Sequence, residues 1–365
     1  MGKILFLSNS SGGLYDFRHE LIQELKKRKQ SIVVCNPEEE KKIDLERIGC
    51  KVLVTKMDRR GMNPLKDVAL ILQYKKIIEA EKPDLVITYT IKPNIYGGLV
   101  CRWLGKTYAT NITGLGTAFE NKGLLKGVAT ILYRLALKQA RVVFFENESN
   151  KNYFVSLHVT KETNARVLNG AGVNLTYYHY LEYPEDGECF QFIFIGRIMK
   201  EKGIDELFFS MKQLVDEGKA CSLVVLGKYE EEYEGIVRRY QDDGWLEYLG
   251  YQDDVRPYIN QVHCFVLPSY HEGMANTNLE CAACGRPIIT TNIPGCREAV
   301  IKGKSGLLCK PRDAEDLYGA MKKMMGLSNS ERREMGRLGR KHMEDVFDKK
   351  EVVRSTISGL FGTDQ

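Results

Sequence analysis

Short apolar runs alternate along the chain with longer stretches whose apolar positions recur at helical spacing. KILFLSN, SIVVCN, KVLVTK, DLVITYT, TYATNI and ARVVFFEN open the series, and FQFIFIGR, SLVVLGK, LEYLG, CFVLPSY and PIITTN resume it. Near-continuous apolar runs suit strands buried on both faces, and a helix between successive strands is what a parallel sheet requires. Residues 14–29 show the helical pattern, with Leu14, Phe17, Leu21, Ile22 and Leu25 on one side and a basic KKRK tip. Residues 65–82 give a second such helix, and 329–345, rich in Arg, Glu and Met, read as a solvent-facing one. The pattern predicts α/β architecture with parallel sheets.

The periodicity fails over residues 174–188, where TYYHYLEYPEDGE is polar, aromatic and interrupted by Pro and Gly. That break divides the chain into a first domain at 1–175, a linker at 176–188 and a second domain at 189–345, with 346–365 following. A length of 365 residues fits two domains of ordinary size.

Hydrophobic content of 43% and a mean hydropathy of −0.31 describe a soluble globular protein, and no apolar run is long enough to span a bilayer. The N-terminal MGKILFLSNSSGG reads as a first buried strand rather than a signal peptide. Ten scattered cysteines, mostly in apolar segments, fit reduced thiols in a cytoplasmic protein, and Cys281 with Cys284 reads as helix packing. Charge is uneven: residues 1–180 carry 28 Lys and Arg against 17 Asp and Glu, leaving 25 against 31 in the rest. The first half therefore faces something anionic. Nucleic acid and a membrane surface are both candidates; with no zinc-finger, RRM or helix-turn-helix pattern, composition alone does not choose nucleic acid.

The densest chemistry lies in residues 270–298, YHEGMANTNLECAACGRPIITTNIPGCRE. Asn276, Thr277 and Asn278 are N-cap residue types, LECAAC reads as helix, and Gly285 with Pro287 stops it. Glu272 thus stands before a helix start and Glu280 about one turn inside it. Unpaired amides and the positive dipole end suit a phosphate, while carboxylates beside an anion site need hydroxyl partners. A phosphorylated sugar satisfies both. Farther upstream, Gly196-Arg197-x4-Lys202-Gly203 joins a strand to a helix starting near Ile204, and its two cations suit a diphosphate clamp. Ser10-Ser11-Gly12-Gly13 is not GxGxxG, and Asn36 stands where a ribose-binding acid would, so NAD is disfavoured.

Glu272-x7-Glu280 with Gly273, Gly285-x-Pro287, Pro294-Gly295 and Glu298 resembles the signature of the family 4 glycosyltransferases, and GRIMKEKG resembles the same family's strand–GR–x4–KG element. The resemblance implies the GT-B fold: two Rossmann-like parallel-sheet domains facing across a cleft, with residues 346–365 crossing back to the first. It implies a retaining enzyme in which Glu272, Arg197 and Lys202 are catalytic. It places Gly13, Arg197, Lys202, Tyr251, Glu272, Gly273, Met274, Ala275, Asn276 and Glu280 around the donor. In this scheme Arg197 and Lys202 grip the diphosphate, Glu280 holds the ribose, and the backbone of Gly250–Val255 reads the base.

YDFR, IKPNIYG, NITGLG, ENESN and NGAGVN resemble a narrower bacterial group that acts on undecaprenyl-diphosphate-linked sugars. For that group the donor is a UDP-sugar and the acceptor a lipid-diphosphate-linked saccharide. Tyr15, Arg18, Lys92, Asn94, Thr113 and Glu120 are then acceptor-side candidates, each equally open to a structural role. Many family members carry a His after the strand read here as TYATNITG; this chain has Asn111, Ile112 and Thr113, so the proton acceptor is left open. Residues 123–141 carry Lys126, Arg134, Lys138 and Arg141 along one face and Leu124, Val128, Ile131 and Leu135 along another. The default for the apolar line is core; the cationic line adds an anionic membrane surface as partner.

The expectation is a hexosyltransferase working on the cytoplasmic face of the membrane as a peripheral protein. No DxD motif stands at a strand end, so neither a metal nor another cofactor is expected. Two other readings stay open: a nucleotide-sugar 2-epimerase of the same fold and a non-catalytic sugar-nucleotide-binding subunit.

Overall fold

In the computed structural model the apolar runs pair into two parallel sheets; the structure describes residues 2–37, 40–57, 63–115, 119 and 123–362. The strands are β1 (Lys3–Leu7), β2 (Ser31–Asn36), β3 (Lys51–Val54), β4 (Leu85–Tyr89), β5 (Tyr108–Ile112), β6 (Val142–Phe145), β7 (Ala165–Val167), β8 (Phe190–Ile195), β9 (Cys221–Leu226), β10 (Leu246–Gly250), β11 (Cys264–Leu267), β12 (Ile288–Thr291) and β13 (Gly306–Cys309). Helices of the first half are α1 (Ser11–Lys27), α2 (Lys42–Arg47), α3 (Pro64–Glu81), α4 (Gly98–Trp103), α5 (Leu124–Leu137) and α6 (Glu148–Ser156). The rest are α7 (Ile204–Asp216), α8 (Glu234–Asp242), α9 (Arg256–Gln261), α10 (Asn276–Ala283), α11 (Ala314–Met325), α12 (Asn329–Val346) and α13 (Lys349–Phe361). Two strands, β7 and β13, escape the sequence pattern: ARV and GLLC are too short to give a periodic signal.

The first sheet runs β3-β2-β1-β4-β5-β6-β7 and the second β10-β9-β8-β11-β12-β13. In each, strand order reverses beside the first strand of the sheet, between β1 and β4 and between β8 and β11. Loops leaving the carboxyl ends of those strands diverge, and ligands of open α/β sheets bind in the crevice so formed.

The chain divides into two compact units, Met1–Ala171 with Lys350–Gln365, and Gly172–Lys349. The boundary precedes the expected linker, so residues 176–188 lie inside the second unit. In the first unit, alternate residues of β1 feed opposite cores. Leu5 and Leu7 join Leu70, Tyr74, Tyr133 and Phe145, whereas Ile4 and Phe6 join Leu14, Leu21, Phe144 and Leu168. Val352, Ile357 and Leu360 of α13 complete the latter core.

Two expectations are corrected by packing. On α5 the core side is Ala129, Tyr133, Ala136 and Leu137, while Val128, Ile131 and Leu135 face solvent. Periodicity shows two apolar lines on this helix but not which one packs. Helix α12 is not simply solvent-facing: Arg332, Met335, Gly336, Gly339 and Met343 are buried, and the helix packs on α10. A Cβ on Gly336 would lie 1.9 Å from the Gly285 carbonyl oxygen, so the backbones meet directly. All ten cysteines are free; burial pushes the Cys284 thiol up to about 12 and holds the Cys281 thiol well above its ordinary value, which makes this pair inert packing.

Candidate active site

The second sheet's switch point gathers the candidate chemistry. The 3-10 turn Lys200–Lys202 follows β8, and Gly203, at φ +71°, leads into α7. A Cβ there would stand 2.1 Å from the Pro268 carbonyl oxygen, so only glycine lets this loop lie against the end of β11. The closeness carries Lys202 to Glu272: Nζ forms an ion pair with Oε1, both side chains mostly buried. Ser269 Oγ donates to the same oxygen at 2.8 Å, and the Ser269 carbonyl accepts from Thr291 Oγ1 at 2.6 Å. Ser269, which the sequence reading passes over, fixes the carboxylate from the β11 side. Its only sequence signal is its place two residues after a strand at the switch point.

The Pro294-Gly295 element now has a physical reason. Gly295 sits at φ +85°, and a Cβ would lie 2.6 Å from Gly273 O and 2.7 Å from Glu272 O. Its amide donates to Glu298 Oε2 at 2.7 Å, and its carbonyl accepts from Ala275 N at 2.8 Å. The turn thus braces the Glu272–Ala275 loop from behind, and Gly273, Met274 and Ala275 are buried against it.

The N-cap of α10 is Ala275, with no side-chain cap bond; Asn276 is the first helical residue rather than the cap. Having neither hydroxyl, amide nor carboxylate, Ala275 leaves the helix start without the competing side-chain acceptor that Asn, Ser or Asp would supply. Glu280 lies farther along α10 beside Tyr178. Arg197, about half exposed, stands at the end of β8 with Nη1 3.7 Å from Glu230 Oε1. Tyr251 follows β10, half exposed, with Lys228 Nζ 4.7 Å above its ring centroid.

The remaining candidates belong to the first unit. Gly13 is in the first turn of α1, its amide donating to the Ser10 cap at 3.1 Å. The Tyr15 ring stacks on His19. Arg18 is buried and pairs with Glu146 at 2.9 Å, Lys92 pairs with Asp67 at 2.8 Å, and Asn94 donates to Asn111 O at 2.8 Å. All three are tied into the fold at the carboxyl edge of the first sheet. Thr113 directly follows β5 and is partly buried; Glu120 lies outside the described residues.

Known proteins place these features in context. Residues 3–147 match the model described as glycosyl transferase 4-like, and residues 189–326 match glycosyl transferases group 1. The chain is 30% identical over 332 residues to the N,N'-diacetylbacillosaminyl-diphospho-undecaprenol alpha-1,3-N-acetylgalactosaminyltransferase of Campylobacter jejuni, covering 86% of this chain and 87% of that one. It is 24% identical over 319 residues to the capsular polysaccharide biosynthesis glycosyltransferase CapM of Staphylococcus aureus, covering 84% and 83%. Among solved structures, Anabaena HepE in complex with UDP and glucose superposes with a TM-score of 0.81 over the full length of both chains at 16% identity. With matching models over both sheets, a relative of this identity along most of the chain and a shared two-sheet GT-B fold, the chain belongs to the family 4 glycosyltransferases.

Proposed function

We propose that this enzyme moves a hexose or N-acetylhexosamine from a UDP-sugar to an undecaprenyl-diphosphate-linked saccharide during bacterial surface polysaccharide or glycan synthesis. The observation that carries the reading is the meeting of Lys202 and Glu272 at the second sheet's switch point, a cation and a carboxylate in one partly buried site. Lys202 and Arg197 hold the donor diphosphate and offset charge on the departing nucleotide, and the uncapped start of α10 adds amide donors. Both contacts to Glu272 fall on Oε1; Oε2 then accepts from a hexose hydroxyl and orients the ring. An oriented, doubly held carboxylate of this kind is a positioning group rather than a nucleophile. With the retention that the family resemblance implies and no carboxylate nucleophile, transfer proceeds by front-face attack, a departing phosphate oxygen assisting the acceptor hydroxyl. The acceptor class is supported by the activity for which the Campylobacter relative is named.

UDP release should require both a UDP-sugar and a lipid-diphosphate-linked glycan, and a panel of UDP-hexoses and UDP-N-acetylhexosamines against such a glycan measures this. Turnover should survive EDTA. UDP release without acceptor, sugar epimerisation, or a complete EDTA loss restored by Mg²⁺ or Mn²⁺ would each overturn the corresponding part of the reading.

A lipid-linked acceptor calls for a membrane-facing surface, and the first unit supplies the materials. Among the described residues no helix is long and apolar enough to cross a membrane. Helices α3, α4 and α5 are packed in sequence, and their outer sides expose Leu65, Val68 and Leu72, then Trp103, then Leu125, Val128, Ile131 and Leu135. Helix α5 contains no acidic residue, and Lys126, Arg134 and Lys138 flank its apolar line. Apolar residues bordered by cations suit the headgroup boundary of an anionic cytoplasmic leaflet. The protein should pellet with phosphatidylglycerol vesicles, and a Val128→Glu/Ile131→Glu variant should bind them about tenfold or more weakly. That variant should still use a short soluble acceptor analogue. Vesicle binding equal to wild type would remove this face from consideration.

A further inference from the structure

The loop after β11 is fastened to the turn after β8 by more than the Lys202–Glu272 pair, and most of the other fastenings come from Tyr270. Its amide donates to the Glu201 carbonyl at 2.9 Å, one residue before Lys202. Its hydroxyl donates to Glu206 in the first turn of α7, 2.7 Å from Oε1 and 2.9 Å from Oε2. Arg312, which follows β13, lies over the phenol ring at 4.7 Å. Next along the loop, His271 Nε2 stands 3.4 Å from Glu201 Oε2.

Residues 201–206 and 269–272 therefore meet at several points, with Lys202 on one side and Glu272 on the other. The bond from Ser269 to Glu272 is internal to the loop, so it orients the carboxylate without fixing where the loop lies. Glu206 is a firm post for that purpose: a carboxylate is favoured in the first turn of a helix. The turn that opens α7 is also the one that carries Lys202. A hydroxyl held by Glu206 thus sets the loop against the element that bears the cation.

We infer that Tyr270 is a positioning residue for sugar transfer: held by Glu206, it sets the β11 loop so that Glu272 keeps Oε1 on Lys202 and turns Oε2 to the hexose. The inference rests on the reading of Glu272 as the group that orients the sugar ring. Tyr270 acts through Glu272 and needs no contact with substrate. Its backbone bond to Glu201 does not depend on the phenol, and Glu206 is partly exposed, so water can replace the hydroxyl. Loss of the hydroxyl then loosens the loop and leaves the fold in place.

Tyr270→Phe removes the hydroxyl and keeps the ring. With the UDP-sugar and undecaprenyl-diphosphate-linked glycan that support turnover, kcat at saturating donor should fall about tenfold. UDP affinity by calorimetry should stay within about twofold, because UDP carries no hexose for Glu272 to orient, and the urea midpoint should move by less than about 0.3 M. Glu206→Leu should match Tyr270→Phe, and the double variant should be no slower than either, since all three lose the same bond. In a Glu272→Gln background, Tyr270→Phe should change kcat by less than about twofold. Wild-type kcat in Tyr270→Phe, or an undiminished loss in the Glu272→Gln background, overturns the positioning role. A fall in kcat matched by lost UDP affinity and a lower urea midpoint marks general loosening of the second unit and overturns it as well. Near wild-type turnover in Glu272→Gln alone instead overturns the reading of Glu272, and the inference with it.

Discussion

Replacing Lys202 with alanine is expected to slow sugar transfer by ~10²–10³-fold, a loss of a few kcal/mol of transition-state stabilisation. Two effects reinforce one another. The diphosphate loses a cation, and Glu272 is left partly buried without its ion-pair partner. Arg197→Ala is expected to fall in the same range through the first effect alone, since its link to Glu230 is long and its side chain about half exposed. The two can be told apart by UDP affinity in the ground state and by single-turnover rates with a lipid-linked acceptor. A kcat deficit at saturating donor identifies an interaction made in the transition state. Near wild-type turnover in both variants would place the diphosphate elsewhere.

The largest effect on stability is expected at Arg286. Its guanidinium is fully buried and faces backbone carbonyls rather than a carboxylate: Ile259 at 2.9 Å and Asn260 at 3.2 Å, in the last turn of α9, and Leu181 and Glu182 in the segment expected to be a linker. The carbonyl end of a helix is the favourable place for such a cation, although burial still lowers the Arg286 pKa. Arg286→Leu would strand four acceptors, at a cost of about 3–5 kcal/mol. The two tryptophans divide the measurement, because Trp245 lies in the second unit's core and Trp103 on the first unit's surface. In a Trp103→Phe background, urea unfolding followed by Trp245 fluorescence should show a midpoint about 1–3 M lower. An unchanged midpoint would mean that water replaces the guanidinium.

How much of this was legible in the sequence depended on whether the information was local. Strand–glycine–cation and glutamate–loop–helix elements announce themselves within a dozen residues, so Arg197, Lys202, Glu272 and Glu280 can be picked out with no structure. That Lys202 meets Glu272 is a product of β8 lying beside β11, a long-range pairing that periodicity does not encode. Ser269 is one hydroxyl among many until that pairing is known. Leu181 and Glu182 sit where the pattern fails, and a failed pattern looks like a linker whether the segment dangles or, as here, a distant arginine pins it down. The orientation of α5 was hidden for another reason: two apolar lines on one helix compete, and packing selects the line with Tyr133 and two alanines.

The first unit is assembled from both ends of the chain, since α13 supplies Val352, Ile357 and Leu360 to the core that holds Ile4 and Phe6. During synthesis a ribosome delivers the whole second unit before it delivers that helix. The second unit can fold as a contiguous block, whereas the earlier one must wait with one flank of its sheet uncovered. A nascent chain paused before residue 350 therefore presents bare apolar surface to chaperones, even though most of its length has already found its final shape.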